Sequence, residues 1–229
     1  MNLQKLHRRF RRLSIFSNII QFSPVRSGST LVYNLMMESL PGKTIFKRHH
    51  CTWKDCYRNK VVVTFRNPID IIASSILRYR DEPTDQNILK HIAELRSFGL
   101  DDLMRIFDHP KILKLRYEDF YNNHDLIFRD LQSYFEIEME ESIIKELKQK
   151  YAVNRIHDHV AKSYSDFSQY DKKTHWHGDH VSKFKGKPDA SMELFTIEQV
   201  EMIRTELMMY IEKFGYDENL EIRQIDHSL

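Results

Sequence analysis

The chain has 229 residues, 41% of them hydrophobic, which is enough for one α/β domain with a real core and short for two. Its 35 Lys and Arg against 33 Asp and Glu leave a formal charge of +2, so bulk electrostatics select neither nucleic acid nor an acidic partner. Two cysteines, Cys51 and Cys56, exclude a disulfide framework and lack the partners of a structural zinc site; they fit a reducing compartment, and a cytoplasmic location is expected.

The N-terminal run Gln4-Lys-Leu-His-Arg-Arg-Phe-Arg-Arg-Leu13 is strongly basic, and the apolar residues after it are broken by Ser14, Ser17, Asn18 and Gln21. That stretch is too short and polar for a signal anchor or a spanning helix, so no transmembrane segment is expected. Residues 1–14 read as a solvated lead-in, with contact to an anionic surface as the alternative. Ile15 to Ser23 then reads as a first strand.

The strand runs through the turn Pro24-Val-Arg-Ser-Gly-Ser-Thr30 into an amphipathic helix that lasts to about Leu40, where Pro41-Gly42 supplies a stop. A helix start leaves backbone N–H groups without intrahelical partners and carries partial positive charge. Ser27, Gly28, Ser29 and Thr30, with the next residue Leu31, can therefore cradle an anion, and Arg26 adds a full charge beside them. The Walker pattern needs an earlier Gly and a Lys directly before Ser/Thr. Here Pro24 stands four before Gly28, Gly28 itself precedes Ser29, and the turn has no Lys, which disfavours an ordinary NTP kinase or ATPase.

Lys43 to His49 reads as a second strand and Lys60 to Phe65 as a third, whose Val61-Val-Val63 run suits a central parallel strand covered on both faces. Asn67-Pro-Ile-Asp70 opens a helix, with Asn67 as N-cap and Pro68 in the first helical position. Arg66 then falls at the carboxyl end of the strand, where open α/β sheets bind ligands. Ile88 to Phe107 reads as one helix, Lys111 to Arg116 as a fourth strand, and Asp125 to Phe135 and Glu140 to Tyr151 as helices. Residues 155–190 are polar and rich in His, without clear periodicity, and read as a long substrate or cofactor loop region. Thr196-Ile-Glu-Gln199 is a capping box for a last helix ending near Phe214-Gly215. The expected architecture is a single three-layer α/β domain over residues 1–229, with a central, mostly parallel sheet flanked by helices.

Four segments in order, Pro24 to Thr30, Phe46-Lys-Arg-His49, Arg66 to Ser74 and Leu115-Arg-Tyr-Glu-Asp119, resemble the sulfotransferases that use 3′-phosphoadenosine-5′-phosphosulfate (PAPS). The resemblance runs from about Ile15 to Gly215 and implies a P-loop-like sulfotransferase fold. It also implies PAPS as cosubstrate, adenosine 3′,5′-bisphosphate as product, and no metal requirement. It makes the turn from Pro24 to Thr30 a 5′-phosphosulfate loop, with Arg26 to Leu31 as its cofactor-binding residues, and Arg66 with Ser74, eight residues on, the grip on the 3′-phosphate. Tyr117 matches the aromatic that lies against adenine, and Lys185-Gly186 matches a further 3′-phosphate element, in which Phe184 replaces the expected Arg and Lys183 or Lys187 is left to compensate.

Lys47 and His49 match the family's Lys-Thr-His segment, with Arg48 in place of Thr. This makes Lys47 the sulfuryl contact and His49 the base, a role that suits an imidazole titrating near neutral pH. His50 points to the other face if the strand continues, and other branches of the family use a carboxylate. Thr196-Ile197 and Glu201 match part of a short dimerisation motif, with Met192 where its Lys would stand; a homodimer rests on that partial match.

The implied acceptor is a small alcohol, phenol, carbohydrate or lipid. The histidines His157, His159, His175, His177 and His180 suggest either a zinc site or, preferably, a flap lining the acceptor pocket. Two rival functions remain: a P-loop small-molecule kinase, and a noncatalytic module that binds a nucleotide and a polyanion.

Overall fold

The structure, a computed structural model, describes residues 18–163, 169–178, 186–188 and 193–217. The basic N-terminal run lies outside the described residues, as do Lys183, Phe184, Lys185, His180 and Met192.

Strand β1 (Asn18–Phe22) sends Ile20 and Phe22 into one apolar cluster and Ile19 into another. Strand β3 (Lys60–Phe65) divides Val61 and Val63 from Val62 in the same way, as the two-residue period of a strand requires. Both strands are thus covered on both faces, the environment that a continuous apolar run anticipates. With β2 (Thr44–Arg48) and β4 (Ile112–Arg116) they form a parallel sheet in the order β2-β1-β3-β4, flanked by helices. The chain leaves β1 toward one edge and β3 toward the other. The crevice between their carboxyl ends is therefore the switch point at which such sheets bind ligands.

Helix α1 (Ser29–Ser39) follows β1, and α2 (Trp53–Arg58) lies between β2 and β3. Helix α3 (Pro68–Tyr79) starts as expected: Asn67 Oδ1 accepts the Ile69 amide at 3.0 Å, and Pro68 occupies the first turn. Further on come α4 (Asp85–Leu95), α5 (Asp101–Ile106), α6 (Tyr117–Phe120), α7 (His124–Phe135), α8 (Glu141–Lys150), α9 (Val153–Ser163) and α10 (Ile197–Lys213). Thr196 and Gln199 cap α10 reciprocally. No helix among the described residues is long and apolar enough to cross a membrane.

Two expectations need correction. The helix expected over Ile88 to Phe107 is two helices, α4 and α5, separated at Phe98 and Gly99. Gly99 has φ +109°, and a Cβ there would stand 2.7 Å from the His49 carbonyl oxygen, so only glycine lets the chain turn this close to the end of β2. The segment 155–190 is not wholly loop, since α9 carries it to Ser163 with Ile156 and Val160 buried one turn apart. Between Cys51 and Asn59 the chain forms α2, opened by a capping box in which Thr52 and Asp55 serve each other.

Candidate functional site

Gly28 is the N-cap of α1, with φ +79° and no side-chain cap, so the first amides of the helix keep their donors for another acceptor. A Cβ on Gly28 would stand 2.6 Å from Tyr117 Cδ2, which makes the glycine a packing requirement as well as a backbone one. Arg26, just before it, holds φ +61°, a conformation that costs a non-glycine residue energy and aims its side chain across the turn. Ser27 is fully buried, and its hydroxyl donates to the Pro24 carbonyl at 2.8 Å and meets Thr64 Oγ1 at 3.2 Å. That hydroxyl braces the turn from within, and Ser27 is not among the residues lining the cavity.

One cavity of about 400 Å³ joins the remaining described parts. It is lined by Arg26, Gly28, Ser29, Thr30 and Leu31 of the cradle, by Lys47 and His49 from the end of β2, and by Arg66 and Ser74 from the end of β3 and α3. Tyr117 and Gly186 line it as well. The structure brings together every sequence-expected site residue except Ser27 and Lys185, the latter outside the described residues.

Arg66 is 5% exposed, so it is no surface arginine. Its guanidinium lies 3.6 Å from Asp70 Oδ2, donates to the Lys187 carbonyl at 3.3 Å, and stacks over the Tyr117 ring at 4.4 Å. Its Nε is buried without a hydrogen-bond partner among the described residues, a donor that a phosphate oxygen would satisfy. Tyr117, expected against adenine, is wedged between Gly28 and Arg66 and donates to the Gly186 carbonyl at 2.7 Å. It thereby ties the cradle to the second cluster. Ser74 Oγ accepts from Arg26 Nε at 3.0 Å, a second tie between the two clusters.

At the other end, Lys47 Nζ donates to Thr30 Oγ1 at 2.6 Å. Burial, with Arg78 and Arg26 nearby, holds the Lys47 ammonium down to about 7. Burial and the same kind of crowding, from Arg78 and Arg66, hold Arg26 down to about 9, still charged at neutral pH. His49 Nδ1 lies 2.9 Å from the Ser23 carbonyl oxygen. A carbonyl only accepts, so Nδ1 carries the proton and Nε2 is the lone-pair nitrogen of the neutral ring. Burial pushes the His49 imidazole below its ordinary range, helped by Lys47, His50 and Arg78 and opposed by the Ser23 hydrogen bond. His50 is turned out to Asp102, 3.1 Å from Oδ2, with a side chain 67% exposed.

The segment around His175 closes over this end. Asn34 Nδ2 donates both to the Thr30 carbonyl at 2.8 Å and to the Thr174 carbonyl at 2.7 Å, fastening the segment to α1. Tyr170, His175, Trp176 and His177 line the cavity, and burial holds His177 down to about 4, so it is neutral at physiological pH. No three metal-ligating side chains converge among the described residues, and His180 lies outside them.

Sequence reasoning missed Arg78, Tyr121, Val153 and Ile156 in the lining. A signal existed for the first two: Arg78 lies one turn after Ser74 and two after Asp70, and Tyr121 one turn after Tyr117. Val153 and Ile156 sit on the helix that was not anticipated.

No protein-family model and no curated protein matches the chain. Among solved structures it is similar to mouse sulfotransferase SULT7A1 complexed with PAP, at a TM-score of 0.64 and 14% identity, covering 86% of this chain and 85% of that one. It is also similar to retinol dehydratase complexed with androsterone and the inactive cofactor PAP, at 0.61 and 14%, covering 85% and 80%. Retinol dehydratase with retinol and PAP gives 0.60 and 13%, covering 85% and 81%. The chain has the sulfotransferase fold.

Proposed function

We propose that this protein, built on the sulfotransferase fold, transfers a sulfuryl group from PAPS to an acceptor hydroxyl. The observation that carries this reading is one cavity that presents donors and the cations Arg26 and Lys47 at the uncapped start of α1 and, apart from them, buried Arg66 with an Nε unpartnered among the described residues. A nucleotide with phosphates at both the 5′ and the 3′ positions uses both, and Tyr117 with the Arg26–Ser74 bond keeps them at a fixed separation. The neighbours, each named as a complex with PAP, support the same choice.

In this reading the amides of Gly28 to Leu31 and Arg26 neutralise the leaving 5′-phosphate, and Lys47 faces the sulfuryl oxygens. His49 Nε2 takes the proton of the acceptor hydroxyl. The acceptor oxygen bonds to sulfur as the bond from sulfur to the 5′-phosphate oxygen breaks, and the electron pair leaves with adenosine 3′,5′-bisphosphate. Positioning and charge neutralisation do most of the work, as they do for phosphoryl transfer. The kinase alternative is less well supported, because no carboxylate stands among the described residues that line the cavity to hold Mg²⁺.

Adenosine 3′,5′-bisphosphate is expected to bind in the absence of Mg²⁺, and its binding reports on Lys47. Before the anion arrives Lys47 titrates at about 7, and a bound phosphate favours the ammonium and raises that value. Above pH 7 binding must therefore take up a proton. Between pH 7.5 and 9, where the ligand phosphates are fully ionised, affinity should fall by up to about tenfold per pH unit. Calorimetry in two buffers of different ionisation enthalpy measures the uptake directly. Binding without proton uptake in this window would remove Lys47 from the anion site.

A further inference from the structure

A second chamber of about 350 Å³ lies beside the first and shares with it a wall made of Val25, Arg26 and Arg78. Arg26 is committed to Ser74 through its Nε. Arg78 has no such bond: its Nε is buried without a hydrogen-bond partner, no carboxylate pairs with its guanidinium among the described residues, and its guanidinium rests over the Tyr79 ring at 5.6 Å.

Of the chamber's two carboxylates, Asp81 is hydrogen-bonded, and Glu94 lies beside a His91 nitrogen that has no hydrogen-bond partner among the described residues. Asp81 meets His91 Nε2 at 2.9 Å and Lys90 Nζ at 3.6 Å, and Glu94 meets His91 Nδ1 at 3.3 Å. A guanidinium facing a confined space without a counter-ion is an anion receptor by its chemistry.

Which anion it receives follows from its place among the other cations. Arg66 lines only the first cavity, where it is held by Asp70, the Lys187 carbonyl and Tyr117, whereas Arg78 lines both cavities and its charge lowers Lys47 and His49. Arg66 thus belongs to the far end of the nucleotide cavity, and Arg78 to the end with the candidate base, at the boundary with the second chamber. The chamber also approaches His49 through α4 and the turn after it: Phe98 lines it, and the adjacent Gly99 packs on the His49 carbonyl.

We propose that the second chamber receives an acceptor that carries an acid group, a carboxylate, sulfate ester or phosphate ester, besides its reacting hydroxyl, and that Arg78 binds that group. The inference rests on the sulfuryl-transfer reading and adds the chemical class of the acceptor and the residue that selects it.

Acceptor pairs that differ only in the acid test it: 4-hydroxybenzoate against 4-hydroxybenzamide, and glucuronate against glucose, each with labelled PAPS and the wild type, Arg78→Met or Arg78→Lys. The acidic members should have kcat/KM values about tenfold or more above their neutral partners in the wild type, a ratio that Arg78→Met erases and Arg78→Lys partly keeps. At pH 6, where Lys47 is charged with or without Arg78, adenosine 3′,5′-bisphosphate should bind Arg78→Met within about threefold of the wild type, which also verifies that the variant folds.

A ratio unchanged in Arg78→Met, or a preference for the neutral members, overturns the proposal. So does a loss of bisphosphate affinity of about tenfold, because Arg78 would then serve the nucleotide. If no pair is turned over, calorimetry of 4-hydroxybenzoate on the bisphosphate-loaded protein decides: binding that Arg78→Met abolishes supports the proposal, and no binding overturns it. The bisphosphate titration stands apart from these arms, so failure of the acceptor class and failure of the sulfuryl-transfer reading give different results.

Discussion

Replacing His49 by glutamine should lower turnover of PAPS about 10³-fold while leaving adenosine 3′,5′-bisphosphate affinity within about threefold of wild type. The split follows from geometry. His49 is fixed by its Nδ1–H donated to the Ser23 carbonyl, which leaves Nε2 as the accepting nitrogen inside the cavity. Glutamine is neutral and of similar size but cannot accept and release a proton, so the nucleotide contacts, which do not use His49, survive and base catalysis does not. Because burial lowers the His49 pKa, the neutral ring persists below the usual histidine range, and the rising limb of the wild-type pH–rate profile should lie below pH 6.5. The steady-state rate and a calorimetric titration of the same preparation measure the two effects separately. Full activity in His49→Gln would remove the base assignment; a parallel loss of bisphosphate affinity would make His49 a binding residue instead.

Gly28→Ala should be the most damaging single substitution in the cradle. The alanine would have to hold φ near +79° and place its Cβ 2.6 Å from Tyr117 Cδ2, 2.9 Å from Cε2 and 3.0 Å from Phe120 Cζ. The Tyr117 ring cannot withdraw freely, because its hydroxyl is bonded to the Gly186 carbonyl and its other face carries Arg66. A cost of about 2–4 kcal/mol follows, which in a domain of this size lowers Tm by roughly 5–15 °C. Bisphosphate affinity should drop about 100-fold, since the same movement dislodges both the helix start and Arg66. Gly42→Ala is the control: Gly42 has φ +78° but nothing within 4 Å of an added Cβ, so backbone strain alone acts there, at about 1 kcal/mol. Equal melting temperatures for the two variants would mean that the packing of Tyr117 on the cradle contributes nothing.

The parts of this site that were legible in the sequence are those written in local chemistry. Asn67 and Pro68 announce a helix start, and that start fixes Arg66 at the end of a strand whose apolar run marks it as central. The same logic exposed the cradle, because a small, glycine-containing turn between a strand and a helix has few other uses. What stayed illegible depends on partners distant in the chain. That Nε2 of His49 is the accepting nitrogen is decided by a carbonyl of residue 23, 26 positions away. The break at Gly99 is decided by the His49 backbone, while the sequence from Ile88 to Phe107 has helical periodicity throughout. Helix α9 buries only Ile156 and Val160 between charged residues and histidines, too little apolar surface for periodicity to register. Arg78 joins the site only through the fold, which brings its face of α3 over the cavity.

The reaction itself is the most direct test. Incubated without Mg²⁺ with PAPS carrying labelled sulfur and a panel of alcohols, phenols, sugars, lipid headgroups and their acidic derivatives, the protein should move label into a sulfate ester. One adenosine 3′,5′-bisphosphate should form for each ester. Failure to transfer label to any acceptor, together with Mg²⁺-dependent transfer of the terminal phosphate of ATP to a member of the same panel, would contradict the assignment of the cradle and Arg66 to the two ends of PAPS.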